Sequence, residues 1–369
     1  MTRPLDPSRL DPSPDGPLPR AVLGMADLQT YADHHHEHAV GLGPLATLAA
    51  DPAVTDILVN GGGTVWADRG SGPQQVFALS GEGQVRALAV RLASQAGRRL
   101  DESVPWVDAR LAGGIRLHAV LPPLAPEGTH LSLRLLRSGP RHLGSLVEEG
   151  AVLPDWAPML EALVARRAAF LVTGGTGVGK TTLLAALLGL VPARHRIVLV
   201  EDVGELTPDH PHVVRLEARR PNVEGRGAVG LDELVRQALR MRPDRLVVGE
   251  CRGSEIRELL AALNTGHAGG CGTLHANAAV ELIPRLEALG SLAGMSRAAV
   301  HAQAGAAVDV VVHLERRGQQ REVVELAVLD RDRDATLRVL SGIKRAGDRS
   351  RLGPGWPRLA ELLGLEGLP

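Results

Sequence analysis

From residue 41 onward the chain alternates short apolar runs with apolar positions at helical spacing, and the two patterns divide it. In the first part, residues 56–60, 64–68, 115–121 and 130–136 read as strands. They are broken by the glycines 61–63 and by Pro122, Pro123 and Pro126. Residues 44–50 look helical, and 84–96 places Val85, Leu88, Ala89, Leu92 and Ala93 on one helical face. Together these predict a small α+β domain over residues 41–137. Residues 138–150, with Gly139, Pro140, Gly144 and Gly150, read as a linker plus a short element.

Past the linker, apolar runs at 168–172, 196–201, 213–217, 245–250, 271–274, 308–314 and 322–329 read as strands. Helical stretches fall between most of them, at 155–166, 231–241, 253–264, 278–289 and 296–306, besides a Leu/Ala run ending at Pro192. Such alternation predicts an α/β domain over 151–341, a parallel sheet with helices on both faces. Ligands then sit at the carboxyl ends of the strands. The flanks read differently. Residues 1–40 are rich in Pro and Asp and carry His34, His35, His36 and His38, which predicts a disordered or loosely docked arm with a solvated histidine tract. Residues 218–230 are Arg-, Gly- and Asn-rich and expected to be mobile. From Gly342, Lys344, Arg345, Arg349, Arg351 and Arg358 suggest a solvated basic tail.

Composition narrows the function. Aromatics make up 2%, so stacking platforms for single-stranded nucleic acid are nearly absent, and a net charge of −1 argues against a dominant phosphate-backbone partner. Nucleic acid is therefore not expected as a direct ligand. Cys251 and Cys271 are too few for a disulfide scaffold, which fits a reducing compartment. No apolar run is long enough to span a bilayer, and the first residues lack an apolar signal core, so a cytoplasmic protein is expected.

The chemistry is concentrated after the first buried run of the second region. Gly174, Gly175, Thr176, Gly177, Val178, Gly179, Lys180, Thr181 and Thr182 join a strand to a helix. They fit the phosphate-cradling pattern of two glycines five apart followed by Lys and Thr. Glycines let consecutive N–H groups curl around an anion, and the helix start adds partial positive charge. Lys180 is one of only two lysines, with Lys344, in a chain holding 41 Lys plus Arg. A compact ammonium thus stands where phosphates are expected. ATP with Mg²⁺ is the expected ligand, Lys180 reaching the β- and γ-phosphates and the Thr181 hydroxyl meeting the ion. The run 245–250 delivers Glu250 at a strand end, where a carboxylate can meet the attacking water, and Glu201 ends another strand, with Glu205 beyond it. His267 and His275 flank a short strand as a polar pair suited to sensing phosphate.

The order of these motifs resembles the secretion-superfamily ATPases of type II/IV secretion and type IV pilus systems, nearest the CpaF-like tight-adherence (Flp pilus) branch. The resemblance rests on the loop 174–181, Ile197–Glu201 with Asp202, Glu205 and Leu206, the stretch 239–245, Gly249-Glu250-Cys251-Arg252-Gly253, and 264–267 through 272–277. It implies a RecA-like ATPase domain preceded by the α+β domain, in a homo-hexameric ring with ATP between the domains. It further implies that Glu201 and Glu205 help hold Mg²⁺ and water, that Glu250 is the general base or orients water, and that His267 and His275 form the histidine motif. Arg116 and Arg134 of the N-terminal domain are implied to reach the γ-phosphate, with Arg240 a weaker candidate toward a neighbouring subunit. The implied partner is an inner-membrane platform protein, which would set the chain on the inner face of the cell membrane. The residues themselves leave open a nucleic-acid-coupled motor or a non-hydrolysing nucleotide-binding regulator.

Overall fold

The computed structural model describes residues 41–135, 141–219, 226–266, 268–318, 320–332, 334 and 336–365. The histidine-bearing arm and His267 lie outside the described residues, as does part of the stretch expected to be mobile. The chain divides into two compact units, one ending at Leu135 and the other beginning at Leu136.

The first unit is a six-stranded antiparallel sheet built from β1 (Asp56–Val59), β2 (Thr64–Asp68), β3 (Pro73–Ala78), β4 (Trp106–Arg110), β5 (Arg116–Val120) and β6 (His130–Arg134), in the order β3-β2-β1-β6-β5-β4. Alternate residues of β1, β2, β5 and β6 are buried, among them Ile57, Val65, Leu117 and Leu133. The helix Glu82–Gln95 lays Val85, Leu88, Ala89, Leu92 and Ala93 into the same core. Strands β3 and β4 were not foreseen. β3 is an edge strand that buries no residue fully, so period-two alternation never appears in its sequence.

The second unit is a nine-stranded sheet. Its strands are β7 (Phe170–Gly174), β8 (Ile197–Glu201), β9 (Val213–Glu217), β10 (Arg245–Cys251), β11 (Cys271–His275), β12 (Val310–Arg317), β13 (Gln320–Arg331), β14 (Leu337–Ala346) and β15 (Arg349–Leu352), ordered β15-β14-β13-β12-β7-β11-β10-β8-β9. From β12 to β9 the pairs are parallel, and β13, β14 and β15 add antiparallel neighbours. Every residue of β7 and β8 is buried, which is why they read as continuous apolar runs. Helices Ala157–Ala165 and Lys180–Leu188 cover one face; Leu231–Leu239, Glu255–Asn264, Leu282–Leu292 and Arg297–Ala307 cover the other.

The short element expected after the linker is the helix Leu143–Glu148, whose Leu143 and Leu146 are buried in the core. One flanking expectation needs correction. The expected basic tail is folded: it completes β14, forms β15 and ends in the helix Trp356–Leu363, with Ile343, Leu359 and Leu363 buried. Its cations find partners on β13, where Lys344 lies 3.3 Å from Glu325 and Arg345 lies 3.5 Å from Glu322. Burial of those two glutamates makes a strand of what their charge alone marks as tail.

Candidate functional site

The loop 174–181 takes its shape from the strands beside it. Gly174 ends β7 between His275 of β11 and Leu314 of β12. Its φ is 153°, and a Cβ there would stand 2.7 Å from both the Leu314 carbonyl oxygen and Val178 Cγ2. Only glycine fits. Gly179, at φ 95°, is the left-handed N-cap of the helix Lys180–Leu188, and no side chain caps that helix. The first N–H groups of the helix therefore point into the loop without a side-chain acceptor, the arrangement that receives an anion.

Lys180 is 9% exposed. Its Nζ donates to the carbonyl oxygens of Gly174 at 3.0 Å and Gly175 at 2.7 Å, so the ammonium is folded over its own loop. Burial holds its pKa below the ordinary lysine value; the Glu250 carboxylate works against that, as does Glu205, while Arg252 adds to it. Two of the predicted carboxylates thus lie within the electrostatic reach of the loop lysine. Thr181 and Thr182 are half-buried in the first turn.

Glu250 is aimed by an irregularity. β10 pairs Val248 with Gly272 and Cys251 with Leu274 of β11, three steps along one strand against two along the other. The extra residue bulges at Gly249–Glu250 and turns the carboxylate out of the ladder. The buried Thr273 hydroxyl pins the bulge by donating to the Gly249 carbonyl at 2.6 Å. Glu250 is half-buried and pairs with Arg252. Glu255, itself buried, accepts from the backbone N–H groups of Arg252 and Gly253 and fixes the turn that follows.

Glu201 closes β8, where the apolar run 196–201 puts it. It is 3% exposed, and Oε1 accepts from the backbone N–H of Glu205 at 2.8 Å and of Leu206 at 2.9 Å. Its Oε2 lies 3.3 Å from Arg215 Nε. Burial pushes its pKa up, against the pull of those hydrogen bonds and of Arg215. These contacts use Glu201 to hold the segment carrying Glu205, and it is Glu205 whose charge is felt at both Lys180 and Arg252.

His275 stands beside Gly174, at the root of the loop. A histidine missed in the sequence, His313 of β12, is buried behind it, with Nδ1 2.8 Å from the Thr173 hydroxyl. The signal was a single polar residue inside the run Val310–Val312 and Leu314. Burial lowers its pKa and keeps the ring neutral. Arg240 is exposed after the helix Leu231–Leu239 and leans on Gln237 at 3.4 Å. Cys251 and Cys271 are free and buried, and burial pushes the Cys271 pKa up to about 12, so both are packing residues.

In the N-terminal unit the register sets Asp68, Asp56, Arg134, Arg116 and Arg110 side by side across β2, β1, β6, β5 and β4. Arg134 Nε meets Asp56 Oδ1 at 3.1 Å. Arg110 escaped the sequence reading because β4 did.

The chain matches the family described as Type II/IV secretion system protein over residues 38–340. A putative conjugal transfer protein of Mycobacterium tuberculosis is 54% identical over 297 residues, covering 78% of this chain and 84% of that protein. The type IV secretion system protein PtlH of Bordetella pertussis is 33% identical over 308 residues, covering 74% and 89%. Among solved structures, the pilus retraction motor PilT with bound ADP aligns at TM-score 0.57 and 22% identity, over 79% of this chain and 83% of that one. The ATPase DotB of Legionella pneumophila aligns at 0.54 and 19%, over 87% and 84%. These structural likenesses are of fold: a RecA-like core with an N-terminal domain.

Proposed function

We propose that this chain, which belongs to the type II/IV secretion system protein family, is an ATP-hydrolysing motor of secretion or pilus assembly. The observation that carries the reading is the glycine loop with its folded-over Lys180, facing a strand-end carboxylate, Glu250, that a bulge turns toward it. Phosphoryl transfer asks for positioning and charge neutralisation more than for covalent chemistry. The polyphosphate sits on the N–H groups of the loop and replaces the carbonyls as partner of the Lys180 ammonium. Glu250 orients a water and takes its proton as the oxygen adds to the γ-phosphorus, the bond to the β-phosphate oxygen breaks, and ADP and inorganic phosphate leave. For Glu250 to act, its pairing with Arg252 must loosen, which ties catalysis to rearrangement of that short turn.

The residues fit Mg²⁺: Thr181 and Glu205 offer oxygen donors, and a shared site with phosphates suits this ion better than a protein cage. Bound there, the ion would neutralise phosphate charge, with Thr181 holding it directly and Glu205 through water. We place His275 as the group that senses the phosphate end, and Arg116 and Arg134, joined by Arg110, as the charges that neutralise the γ-phosphate when the assembly closes.

The finer parts belong to the same proposal: a homo-hexameric ring, action on an inner-membrane platform protein, and membership of the tight-adherence branch. No helix among the described residues is long and apolar enough to cross a membrane; the proposal sets the chain at the inner face of the membrane through that partner. The likeness to a conjugal transfer protein and to a type IV secretion system protein favours a second cargo, conjugal DNA or a secreted protein, over pilin. Light scattering with and without ATP, alongside phosphate release, tests the motor; a chain that stays monomeric and releases no phosphate refutes it. Pilin-like reading frames beside the gene would fix the branch, and conjugation genes there would overturn it.

A further inference from the structure

The strand order gives the loop two unlike sides. Gly174 lies between β11 and β12. The carboxylates felt at Lys180 belong to the β11 side, Glu250 on β10 and Glu205 beyond β8. A polyphosphate with its reacting end toward Glu250 must leave the loop on the opposite side, over β12 and β13.

On that side Arg321 of β13 runs past the loop: a Cβ on Gly179 would stand 3.5 Å from Arg321 Cδ, in ordinary contact. Arg321 is exposed and has no ion pair among the described residues. Its neighbours are committed, Arg317 lying 3.3 Å from Glu315 and 3.7 Å from Glu322, and Arg316 donating to the Gly318 carbonyl at 3.2 Å. The Arg321 side chain thus passes the N-cap of the loop helix, whose start already favours an anion, with no carboxylate of its own to hold it.

We propose that Arg321 is a nucleotide-binding residue, its guanidinium meeting the α-phosphate of the nucleoside polyphosphate seated on the loop. The proposal rests on the nucleotide reading above. Arg suits the task because its planar fork engages phosphate oxygens bidentately, and it approaches from the side of the loop away from Glu250, opposite the end that Lys180 holds.

The test measures binding of a fluorescent ADP to the full chain and its displacement by unlabelled ADP or pyrophosphate. Arg321→Ala should weaken ADP about tenfold, Arg321→Lys should recover part of the loss, and pyrophosphate should bind as before. All variants should melt like the parent chain, since Arg321 is exposed. If Arg321→Ala binds ADP as the parent does while Lys180→Ala has lost it, the Arg321 proposal fails and the nucleotide reading stands. Equal weakening of pyrophosphate and ADP would also overturn the α-phosphate assignment. If the parent chain binds neither, the nucleotide reading itself has failed.

Discussion

Replacing Glu250 by Gln keeps the shape of the side chain and removes its charge, which makes it the cleanest probe of the bulged strand end. A positioned general base contributes about 10²–10⁴ in rate. Its loss therefore raises the barrier by about 3–5 kcal/mol. The same change should cost little stability. The Glu250–Arg252 pair is 29% and 60% exposed, and pairs so wetted contribute about 1 kcal/mol at most. For a unit of this size that corresponds to about 2–4 °C in Tm. Nucleotide affinity should hold or rise slightly, because a negative charge beside the phosphates is gone. Phosphate release gives kcat, fluorescent-nucleotide titration gives Kd, and calorimetry gives Tm. A kcat within about twofold of the parent would refute the role given to Glu250. Parallel loss of Kd and Tm would show the carboxylate to be structural instead.

Thr273→Ala removes the hydroxyl that donates to the Gly249 carbonyl at 2.6 Å, leaving a buried acceptor unpaired at a cost of about 1–3 kcal/mol. It should lower kcat more than ADP affinity, since the bulge is disturbed and the loop is not; equal losses would contradict the idea that Thr273 acts through Glu250. His313, whose pKa burial depresses, makes the fold sensitive to acid. The unfolded chain takes up a proton near the ordinary value of 6.5 that the native ring refuses. Stability is thus complete above that pH and lost as pH falls through it toward the lower native value. Tm measured from pH 8 to pH 5 should fall less for His313→Gln than for the parent below about pH 6.5; parallel curves would show that the ring contributes nothing to acid lability.

The core of the second unit was legible because buried parallel strands write themselves as apolar runs, and the glycine loop because its geometry tolerates few other residues. What sequence could not reveal were effects of pairing. β3 and β4 carry too little alternation to be read alone, and with β4 went Arg110, whose place beside Arg116 exists only through register. The charges of β14 looked like a tail because their partners, Glu322 and Glu325, come from another strand. Glu201 and Glu205 both follow the same apolar run, yet folding buries Glu201, with Oε1 taken by two backbone N–H groups and Oε2 facing Arg215. Glu250 was found by its position at a strand end, although the bulge that aims it leaves no mark in the residues themselves.

In the proposed mechanism everything depends on the loop around Lys180 gripping a nucleoside triphosphate. Isothermal titration of ATP into the parent chain and into Lys180→Ala tests it most directly, with Tm recorded for both. The expected result is a saturable isotherm for the parent and affinity at least about 100-fold weaker for a variant that still folds, a loss of about 2.7 kcal/mol. An isotherm for folded Lys180→Ala that superimposes on that of the parent would contradict it.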